Sequence, residues 1–489
     1  MLKNFRRLSI TIVMLLINSI AFTGCKIDAR DNYGLDKDNP VAVEVWHYYN
    51  GIQKIEFDKM VEEFNKSVGK DKGIIVEAFN QGSVSELTDK VIDITKKKVG
   101  AEKMPDAFMA YPDTAYEIEK LGLLSDFGKY MSENEKNKYI DSYINEGKLD
   151  TEDKLTLFPV AKSTEILMVN KTDWETFSKE TNADISEFNT WEGIANLAKR
   201  YYDWTDSKTE AKDDGKTFFG RDAMANYMII GSQELGEEIF NVTNGKLEVN
   251  INEKVMRKLW DNFYVPYING YYGAYGRFRS DDAKVGNIIA LVGSTSGAGY
   301  FPDSVITNDD QNYKIESMIL PLPKFKDSKV AYMPQQGAGM VMIKSDSRHE
   351  YAVTEFLKWF TDSDRNAKFS IAAGYLPVKK EANHSEFIKG KINNNDVLDT
   401  LKNSQEAVLQ AIDQERTYKF YASKAFNGAD EARDILEKSM LEKAKIDREK
   451  VKALLKKGIS REEAIKSFNT DDNFNNWLED LRKSINAVT

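Results

Sequence analysis

Cysteine and histidine are scarce in this chain, which has one cysteine and three histidines among 489 residues. A single cysteine excludes an internal disulfide, so the stability of the fold must come from packing. The histidines are His47, His349 and His384, and neither HExxH spacing nor cysteine pairs accompany them, so the usual zinc sites are not expected. A formal net charge of -10 argues against nucleic acid as a partner.

Long apolar runs are also absent, except near the start of the chain. Residues 8–22 form a mostly apolar run that follows basic residues and precedes Gly24 and Cys25. The run is shorter than the roughly 20 residues that span a bilayer. A basic start, an apolar stretch and small residues before a cleavage point predict a secretory signal peptide over residues 1–24. An ordinary signal with a chance cysteine and an uncleaved membrane anchor are the alternatives.

The residues after Cys25 predict a tether followed by a large folded body. Residues 25–40 are charged and poor in apolar groups, so they are not expected to bury enough surface to order themselves. The body should begin near Val41. Its length exceeds what one hydrophobic core usually supports, which predicts at least two lobes.

Strand and helix patterns alternate along the body. Apolar residues at positions 57, 60, 61, 64 and 68 follow the spacing of a helix face. Strands alternating with such helices predict βαβ units, a mostly parallel sheet and an α/β fold. From residue 429 onward the pattern is helical and charged, which predicts a helical C-terminal region. The predicted strands cover residues 41–46, 74–79, 104–110, 155–159, 165–169, 287–293, 315–320 and 337–343.

The segment Gly293-Ser294-Thr295-Ser296-Gly297 follows one of these predicted strands. A nucleophile elbow needs serine at its centre, and Thr295 occupies that position here. A flexible turn is one interpretation. A ligand cradle is the other, because small hydroxyl side chains and closely spaced backbone amides bind phosphate or sugar hydroxyls.

Aromatic residues beside glycine, asparagine and serine form a second signal. Most aromatic side chains in a domain belong to the core, but a sugar ring can pack its C–H face on an aromatic ring. In open α/β sheets, ligands bind outside the carboxyl ends of the strands. His47 and Tyr48 lie at such an end, which makes them candidate binding residues.

Several segments together resemble a known protein family. Residues 45–48, 105–108, 158–160, 169–171, 190–192 and 371–378, the last with Gly-Tyr-Leu-Pro at 374–377, resemble in order and spacing the extracellular solute-binding proteins of bacterial ABC importers. The likeness runs from about residue 41 to about residue 433, within the cluster that includes maltose-binding and glycerol-3-phosphate-binding proteins. Residues 22–25 resemble the lipobox of bacterial lipoproteins.

The resemblance implies a two-lobed periplasmic-binding-protein-like fold with a ligand cleft between the lobes. The N-terminal lobe would comprise residues 41–160 and 287–344, and the C-terminal lobe residues 161–286 and 345–489. Three hinge strands are expected near residues 158–161, 285–289 and 343–345. The cleft residues carried over from the family are His47, Tyr48, Ser83, Asp113, Ser163, Ser294, Thr295, Ser296, Gly297 and Tyr375, with Lys424 as the partner of any anion.

The implied function is that of a monomeric receptor, anchored through a lipid on Cys25 at the extracellular face of the membrane. It would capture a sugar, an oligosaccharide or a glycerol-3-phosphate-like solute and deliver it to the membrane subunits of an ABC importer, without a cofactor or metal. Lysine at 424, where the glycerophosphate binder has arginine, leaves sugar and phosphorylated polyol both open. The alternatives are a polysaccharide-acting surface enzyme with Asp113 and Glu165 as paired carboxylates, and a sensory solute receptor.

Overall fold

The computed structural model describes residues 33–149, 154–243, 246–306, 312–392 and 399–489. The predicted signal peptide and Cys25 lie outside these ranges. Among the described residues, none of the helices combines the length and apolar character needed to cross a bilayer.

The described residues form fifteen strands in two larger sheets and three strand pairs. The strands are β1 (Val41–His47), β2 (Ile74–Asn80), β3 (Ala107–Ala110), β4 (Leu157–Phe158), β5 (Glu165–Asn170), β6 (Phe219–Arg221), β7 (Phe240–Thr243), β8 (Lys246–Val249), β9 (Ala290–Ser294), β10 (Ser304–Ile306), β11 (Asn312–Lys314), β12 (Ser317–Leu320), β13 (Ala331–Gln335), β14 (Gly339–Met342) and β15 (Tyr418–Ala422).

Helices cover both lobes and the C-terminal region. The α-helices span Gly51–Lys66, Val68–Lys72, Val84–Thr95, Pro112–Lys120, Glu133–Lys136, Asp141–Glu146, Lys171–Thr181, Trp191–Asp206, Met224–Glu234, Glu253–Ile268, Arg279–Lys284, Ser347–Phe360, Ser363–Ala373, Ser385–Lys391, Asp399–Gln414, Ala429–Lys456, Arg461–Lys466 and Asp471–Val488. Short 3-10 helices span Phe127–Lys129, Ile185–Asn189 and Thr295–Tyr300.

The first lobe is built on a five-stranded sheet in the order β2-β1-β3-β14-β4. β1 pairs in parallel with β2 and β3, whereas β14 pairs antiparallel with β3 and β4. The apolar stripe predicted after β1 is a helix, Gly51–Lys66. Its Phe57 and Phe64 pack against Phe356 with ring centroids 6.2 Å and 5.2 Å apart, which buries the stripe in the first lobe.

The second lobe is built on a four-stranded sheet in the order β12-β5-β9-β6. β5 is buried along its whole length and pairs antiparallel with β12 and β9, and only β6 and β9 are parallel. The expectation of a mostly parallel sheet is therefore wrong for this lobe. The strand and helix alternation behind that expectation is clear only in residues 41–110 and does not extend to the second sheet.

The helical C-terminal region is confirmed and belongs to the second lobe. Helix Ala429–Lys456 packs against helices Met224–Glu234 and Glu253–Ile268, and helix Asp471–Val488 closes over it. The Trp260 ring stacks on Tyr264 at 3.6 Å and lies 5.0 Å from Trp477, so aromatic packing joins this region to the lobe.

The lobe boundaries differ from those expected. β9 and β12 lie within residues 287–344 but belong to the second sheet, and helix Ser347–Phe360 packs into the core of the first lobe. Strand pairing between distant segments is set by tertiary register, as when β14 pairs with β3, and local sequence patterns do not report it.

The chain crosses between the lobes directly at residues 159–164 and 336–338. A third link is helix Asp399–Gln414, which packs against Ser363–Ala373 on one side and against Thr295–Tyr300 on the other. The expected hinge at 158–161 overlaps the first crossing.

The other two expected hinges are wrong. Ile289 is held inside the second lobe, where its amide donates to the Phe218 carbonyl at 3.0 Å. Ile343 is held inside the first lobe, where its amide donates to the Asp106 carbonyl at 2.9 Å. Residues 285–289 lead into β9 of the second lobe, and residues 343–345 follow β14 of the first lobe, so neither segment crosses between the lobes.

Residues 33–40 also depart from the predicted tether. The Tyr33 ring lies 5.0 Å from Tyr130 and 4.4 Å from Tyr351, and Leu35 is only 8% exposed. These two apolar side chains bury against the first lobe, so this part of the segment is packed on the body.

Candidate ligand cleft

Tyrosine hydroxyls of the first lobe meet at the junction between the lobes. Tyr48 follows β1, Tyr111 follows β3, and Tyr375 follows helix Ser363–Ala373. The hydroxyls of Tyr111 and Tyr375 both interact with that of Tyr48, which accepts a hydrogen bond from the Ala338 amide at 3.4 Å. Burial raises the pKa of all three hydroxyls, so they stay protonated and can both donate and accept hydrogen bonds.

The second lobe contributes the turn that follows β9, which is a capped 3-10 helix. The Ser294 Oγ accepts a hydrogen bond from the Gly297 amide at 3.1 Å and lies 3.0 Å from the Ser296 Oγ. The Thr295 amide donates to the Thr164 carbonyl at 2.8 Å, and its own hydroxyl is buried. The turn is therefore a fixed structure, and Ser294 stabilises it as the cap.

Several contacts join this turn to the first lobe. The Gln53 Nε2 donates to the Ser296 carbonyl at 3.2 Å, and the hydroxyl of Tyr375 interacts with the Ser296 side chain. Gly374 adopts φ +73°, and a Cβ there would lie 2.4 Å from the Thr295 carbonyl oxygen. Only glycine combines this left-handed conformation with so close an approach. The turn and Tyr375 thus meet across the junction.

A buried polar network lies behind this face of the second lobe. The Arg221 Nη2 donates to the two carboxylate oxygens of Glu165 at 2.9 Å and 3.0 Å, and both side chains are at most 2% exposed. The Asn226 Nδ2 donates to the same carboxylate at 2.9 Å, and Arg433 donates to the Asn226 Oδ1 at 2.6 Å. Glu165 is fully engaged, so the pairing of Asp113 and Glu165 as catalytic carboxylates finds no support.

Arg433 is a junction residue that sequence reasoning missed. Its side chain is half-buried in helix Ala429–Lys456, and its charge acts on Tyr111 of the first lobe. The spacing of apolar residues could have identified Arg433, because Ala429, Ala432 and Leu436 mark the buried face of this helix and position 433 adjoins that face.

Carboxylates from the two lobes lie near Tyr111 and Arg433 at the junction. Asp113 stands in the first turn of helix Pro112–Lys120, and Asp430 stands in the first turn of helix Ala429–Lys456. Partial burial and then the charge of Asp113, with smaller effects of Asp434 and Glu431, raise the pKa of Asp430 to about 6. The lobes also touch here, where Lys120 donates to the Asn427 side chain.

His47 does not line the cleft. It is fully buried, its ring centroid lies 4.9 Å from that of Phe57, and its Nδ1 accepts a hydrogen bond from the Tyr49 amide at 3.2 Å. Burial lowers the pKa of His47 to about 4, so it is neutral at pH 7. Side chains alternate along a strand, so His47 shares the face of Val43 and Val45, and that pattern could have identified it as a core residue.

The remaining candidate residues stabilise the fold or lie at the surface. Ser83 caps helix Val84–Thr95 and accepts a hydrogen bond from the Glu86 amide at 3.3 Å. Ser163 is buried in the first crossing, and Lys424 is exposed after β15. Within the described ranges, no group of three or more histidine, cysteine, aspartate or glutamate side chains is arranged to hold a metal ion.

Comparisons with known proteins agree with this architecture. The family model for bacterial extracellular solute-binding proteins matches residues 59–395. A search of curated proteins finds no relative of this sequence.

Solved structures share the fold at low sequence identity. The cyclic alpha-maltosyl-1,6-maltose binding protein of Arthrobacter globiformis is 17% identical, with a TM-score of 0.61 over 92% of this chain and 99% of that chain. The UgpB protein of Mycobacterium tuberculosis, in complex with glycerophosphocholine, is 16% identical, with a TM-score of 0.62 over 92% of this chain and 100% of that chain. An ABC substrate-binding protein of Listeria monocytogenes, in complex with cycloalternan, is 15% identical, with a TM-score of 0.63 over 92% and 100% of the two chains. The chain belongs to the bacterial extracellular solute-binding protein family.

Proposed function

We propose that this protein is the substrate-binding lipoprotein of an ABC importer and captures a small polyhydroxylated solute between its lobes. The observation that carries the proposal is the meeting of hydroxyl groups from both lobes at the junction. Tyr48 and Tyr375 come from the first lobe, and Ser296 comes from the second. A solute that hydrogen-bonds both sets would favour the closed arrangement in proportion to its higher affinity for that form.

The charges around the junction favour an uncharged solute over a phosphate ester. Arg221 is neutralised by Glu165, and Arg433 donates to Asn226 while Asp430 stands one turn away in the same helix. The Asn226 amide does not neutralise Arg433, so a phosphate ester would meet this guanidinium together with the Asp430 and Asp113 carboxylates, whose repulsion opposes the attraction. The proteins of similar fold include binders of cyclic oligosaccharides and of a phosphodiester, so both classes belong in the test.

The test is a thermal-shift screen of the purified chain against oligosaccharides, monosaccharides, polyols, glycerol-3-phosphate and glycerophosphodiesters. A ligand at 100 times its Kd stabilises the folded state by about 2.7 kcal/mol, which is a measurable shift. We expect a neutral sugar to raise the Tm. A shift with phosphate esters alone would contradict the uncharged class, and no shift with any solute would count against solute capture.

Tyr375→Phe provides the site control. The substitution removes one hydroxyl and keeps the ring that stacks on Phe369 at 6.0 Å. The variant should fold normally and bind the identified solute about fivefold more weakly, the equivalent of one hydrogen bond of about 1 kcal/mol. Unchanged affinity, measured by calorimetry, would remove Tyr375 from the site. The matched variant is Tyr139→Phe, which removes a buried hydroxyl bonded to Thr361 inside the first lobe.

Anchoring through Cys25 and delivery to importer subunits complete the proposal. An alkyne analogue of palmitate should label the wild-type chain in its host, and Cys25→Ser should abolish the label. Deletion of the gene should abolish uptake of the solute identified in the screen. Normal uptake combined with a lost transcriptional response to that solute would instead identify a sensory receptor.

A further inference from the structure

One buried lysine ties together the segments that meet between the lobes. Lys162 lies in the first crossing and its side chain is 1% exposed. Its backbone pairs with Leu376, the residue after the candidate ligand residue Tyr375, in both directions, with N···O distances of 3.1 Å and 2.5 Å. Its Nζ donates to the carbonyl of Gly337 in the second crossing at 2.9 Å. Lys162 therefore joins its own crossing to two other segments, the second crossing and the segment of Tyr375.

The two crossings are already in close backbone contact around this side chain. The Ser163 and Gln336 backbones exchange two hydrogen bonds of 2.9 Å each. Gly337 adopts φ +91°, and a Cβ there would lie 2.6 Å from the Ala161 carbonyl oxygen. The ammonium group thus adds a fixed link between segments that have little room to slide.

The same ammonium group binds the first lobe. It forms an ion pair with Glu146, at the end of helix Asp141–Glu146, whose side chain is 4% exposed. It also lies 6.0 Å from the centroid of the Tyr143 ring. One charged group therefore connects a helix of the first lobe to the second crossing.

A buried ion pair of this kind contributes little to stability compared with a well-packed apolar pair. Its better-attested use is to select one arrangement among several, because a displaced partner leaves an uncompensated buried charge. The position of Lys162, at the point about which the lobes would rotate, makes the relative orientation of the lobes the arrangement it selects.

We propose that Lys162 is a positioning residue that fixes the orientation of the lobes and thereby the affinity of the cleft, without contacting the solute. Rotation of the lobes must move the second crossing relative to helix Asp141–Glu146, and the ammonium group couples the two. The part of this inference that concerns affinity rests on the proposed function. The part that concerns orientation does not.

The test is the distance between spin labels on the two lobes, measured by pulsed electron paramagnetic resonance. With Cys25→Ser as background, the chain has no other cysteine, so Asp89→Cys and Lys199→Cys provide one exposed label on each lobe. The double variant Lys162→Met with Glu146→Leu removes both charges and leaves no unpaired carboxylate. We expect it to fold with a broadened or shifted distance distribution, and to bind the screened solute with an affinity changed about fivefold or more.

Lys162→Arg and Lys154→Met are the companion variants. Lys162→Arg keeps the charge and should retain more of the parent distribution than the double variant does. The exposed Lys154 pairs with Glu119 within the first lobe and away from both crossings, so Lys154→Met should leave the distribution unchanged. A folded double variant with the parent distribution would overturn the inference. If the double variant fails to fold, Glu146→Gln, which removes the charge that pairs with the ammonium group, replaces it, and an unchanged distance distribution in that variant would overturn the inference equally.

Solute affinity and the distance between the labels are two independent measurements, so failure of the proposed function and failure of this inference can be distinguished. If the unmodified chain binds none of the screened solutes, the proposed function fails, and the label distances still decide the role of Lys162. If it binds solute and the double variant shows altered distances with unaltered affinity, the coupling to affinity fails alone.

Discussion

Gly374→Ala, compared with Gly122→Ala, tests whether the two lobes meet as closely as the structure shows. Both glycines follow a helix of the first lobe, and their φ values are +73° and +72°. The left-handed conformation costs a residue with a Cβ about 1–2 kcal/mol, and this cost is common to both variants. The surroundings differ, because a Cβ at Gly122 meets nothing within 4 Å, whereas one at Gly374 would lie 2.4 Å from the Thr295 carbonyl oxygen.

The added cost at Gly374 follows from that contact. Non-bonded heavy atoms prefer separations near 3.5 Å, so the turn would have to move by about 1 Å. Forcing extra atoms into a packed site costs typically 1–3 kcal/mol. Gly122→Ala should therefore lower the free energy of unfolding by about 1–2 kcal/mol, and Gly374→Ala by about 2–5 kcal/mol.

Urea denaturation of the two variants and the parent measures this difference. Because the displaced turn carries Ser296, Gly374→Ala should also weaken solute binding, by about fivefold for the loss of one hydrogen bond. Gly122→Ala should leave affinity unchanged. A difference in unfolding free energy below about 0.5 kcal/mol between the variants would refute the close approach of the lobes at this point.

Further predictions concern pH and the C-terminal helices. The pKa of Asp430 is raised from 3.8 to about 6, so its charged form is disfavoured in the structure. The contact between Asp430 and Asp113 therefore becomes less stable as pH rises from about 4 through 6 and the Asp430 carboxyl loses its proton. Label distances should therefore show a more closed population at pH 5 than at pH 7.5, and Asp430→Asn should remove that dependence. Asp447 is fully buried and accepts a hydrogen bond from the Tyr264 hydroxyl at 2.7 Å. Asp447→Ala should lower the free energy of unfolding by about 1.5–3 kcal/mol, because the Tyr264 hydroxyl and the Asn473 amide lose a charged acceptor. Tyr264→Phe should cost only about 1 kcal/mol by the same urea assay, and equal costs would contradict the central role of the carboxylate.

Local patterns in the sequence were enough to predict most strands, because runs of β-branched residues and helical stripes report burial along one element. β1, β2 and β5 begin at the predicted residue, and Ser83 and Thr190 each cap the helix that follows them. These features depend on neighbours within about four residues, which the sequence displays directly.

The assignment of elements to lobes depends on distant residues, and there the sequence was insufficient. β14 follows a segment of the second lobe yet pairs with β3, more than 200 residues earlier. No local signal distinguishes that pairing from one with β9. The same limitation explains the misplaced hinges, since a crossing is defined by the strands that it joins.

The candidate cleft shows why residue types alone overestimate a binding site. Serine, histidine and aromatic residues at strand ends were all plausible ligands, but Ser83 and Ser294 cap helices and His47 fills the core. A hydroxyl that accepts a hydrogen bond from its own turn is oriented by that bond, and its availability to a solute is reduced accordingly. Tyr375 and Ser296 differ from these residues because they meet from different elements across the junction.

Selectivity in such a site depends on matched hydrogen bonds more than on charge. Arg221 is neutralised by Glu165, and the charge of Arg433 lies near the Asp430 carboxylate, so an anionic solute would gain less than at an isolated cation and would lose its hydration. The tyrosine hydroxyls interact with one another and with Ser296, so a solute that enters between them without a matching hydroxyl would break those interactions and leave the hydroxyls unpaired. A site built to hydrogen-bond a hydroxyl rejects an analogue that lacks it far more strongly than an apolar pocket rejects a missing methylene. Deoxy analogues of the solute found in the screen should therefore lose more affinity at positions facing Tyr48 and Tyr375 than elsewhere, and uniform losses around the ring would argue against this basis of recognition.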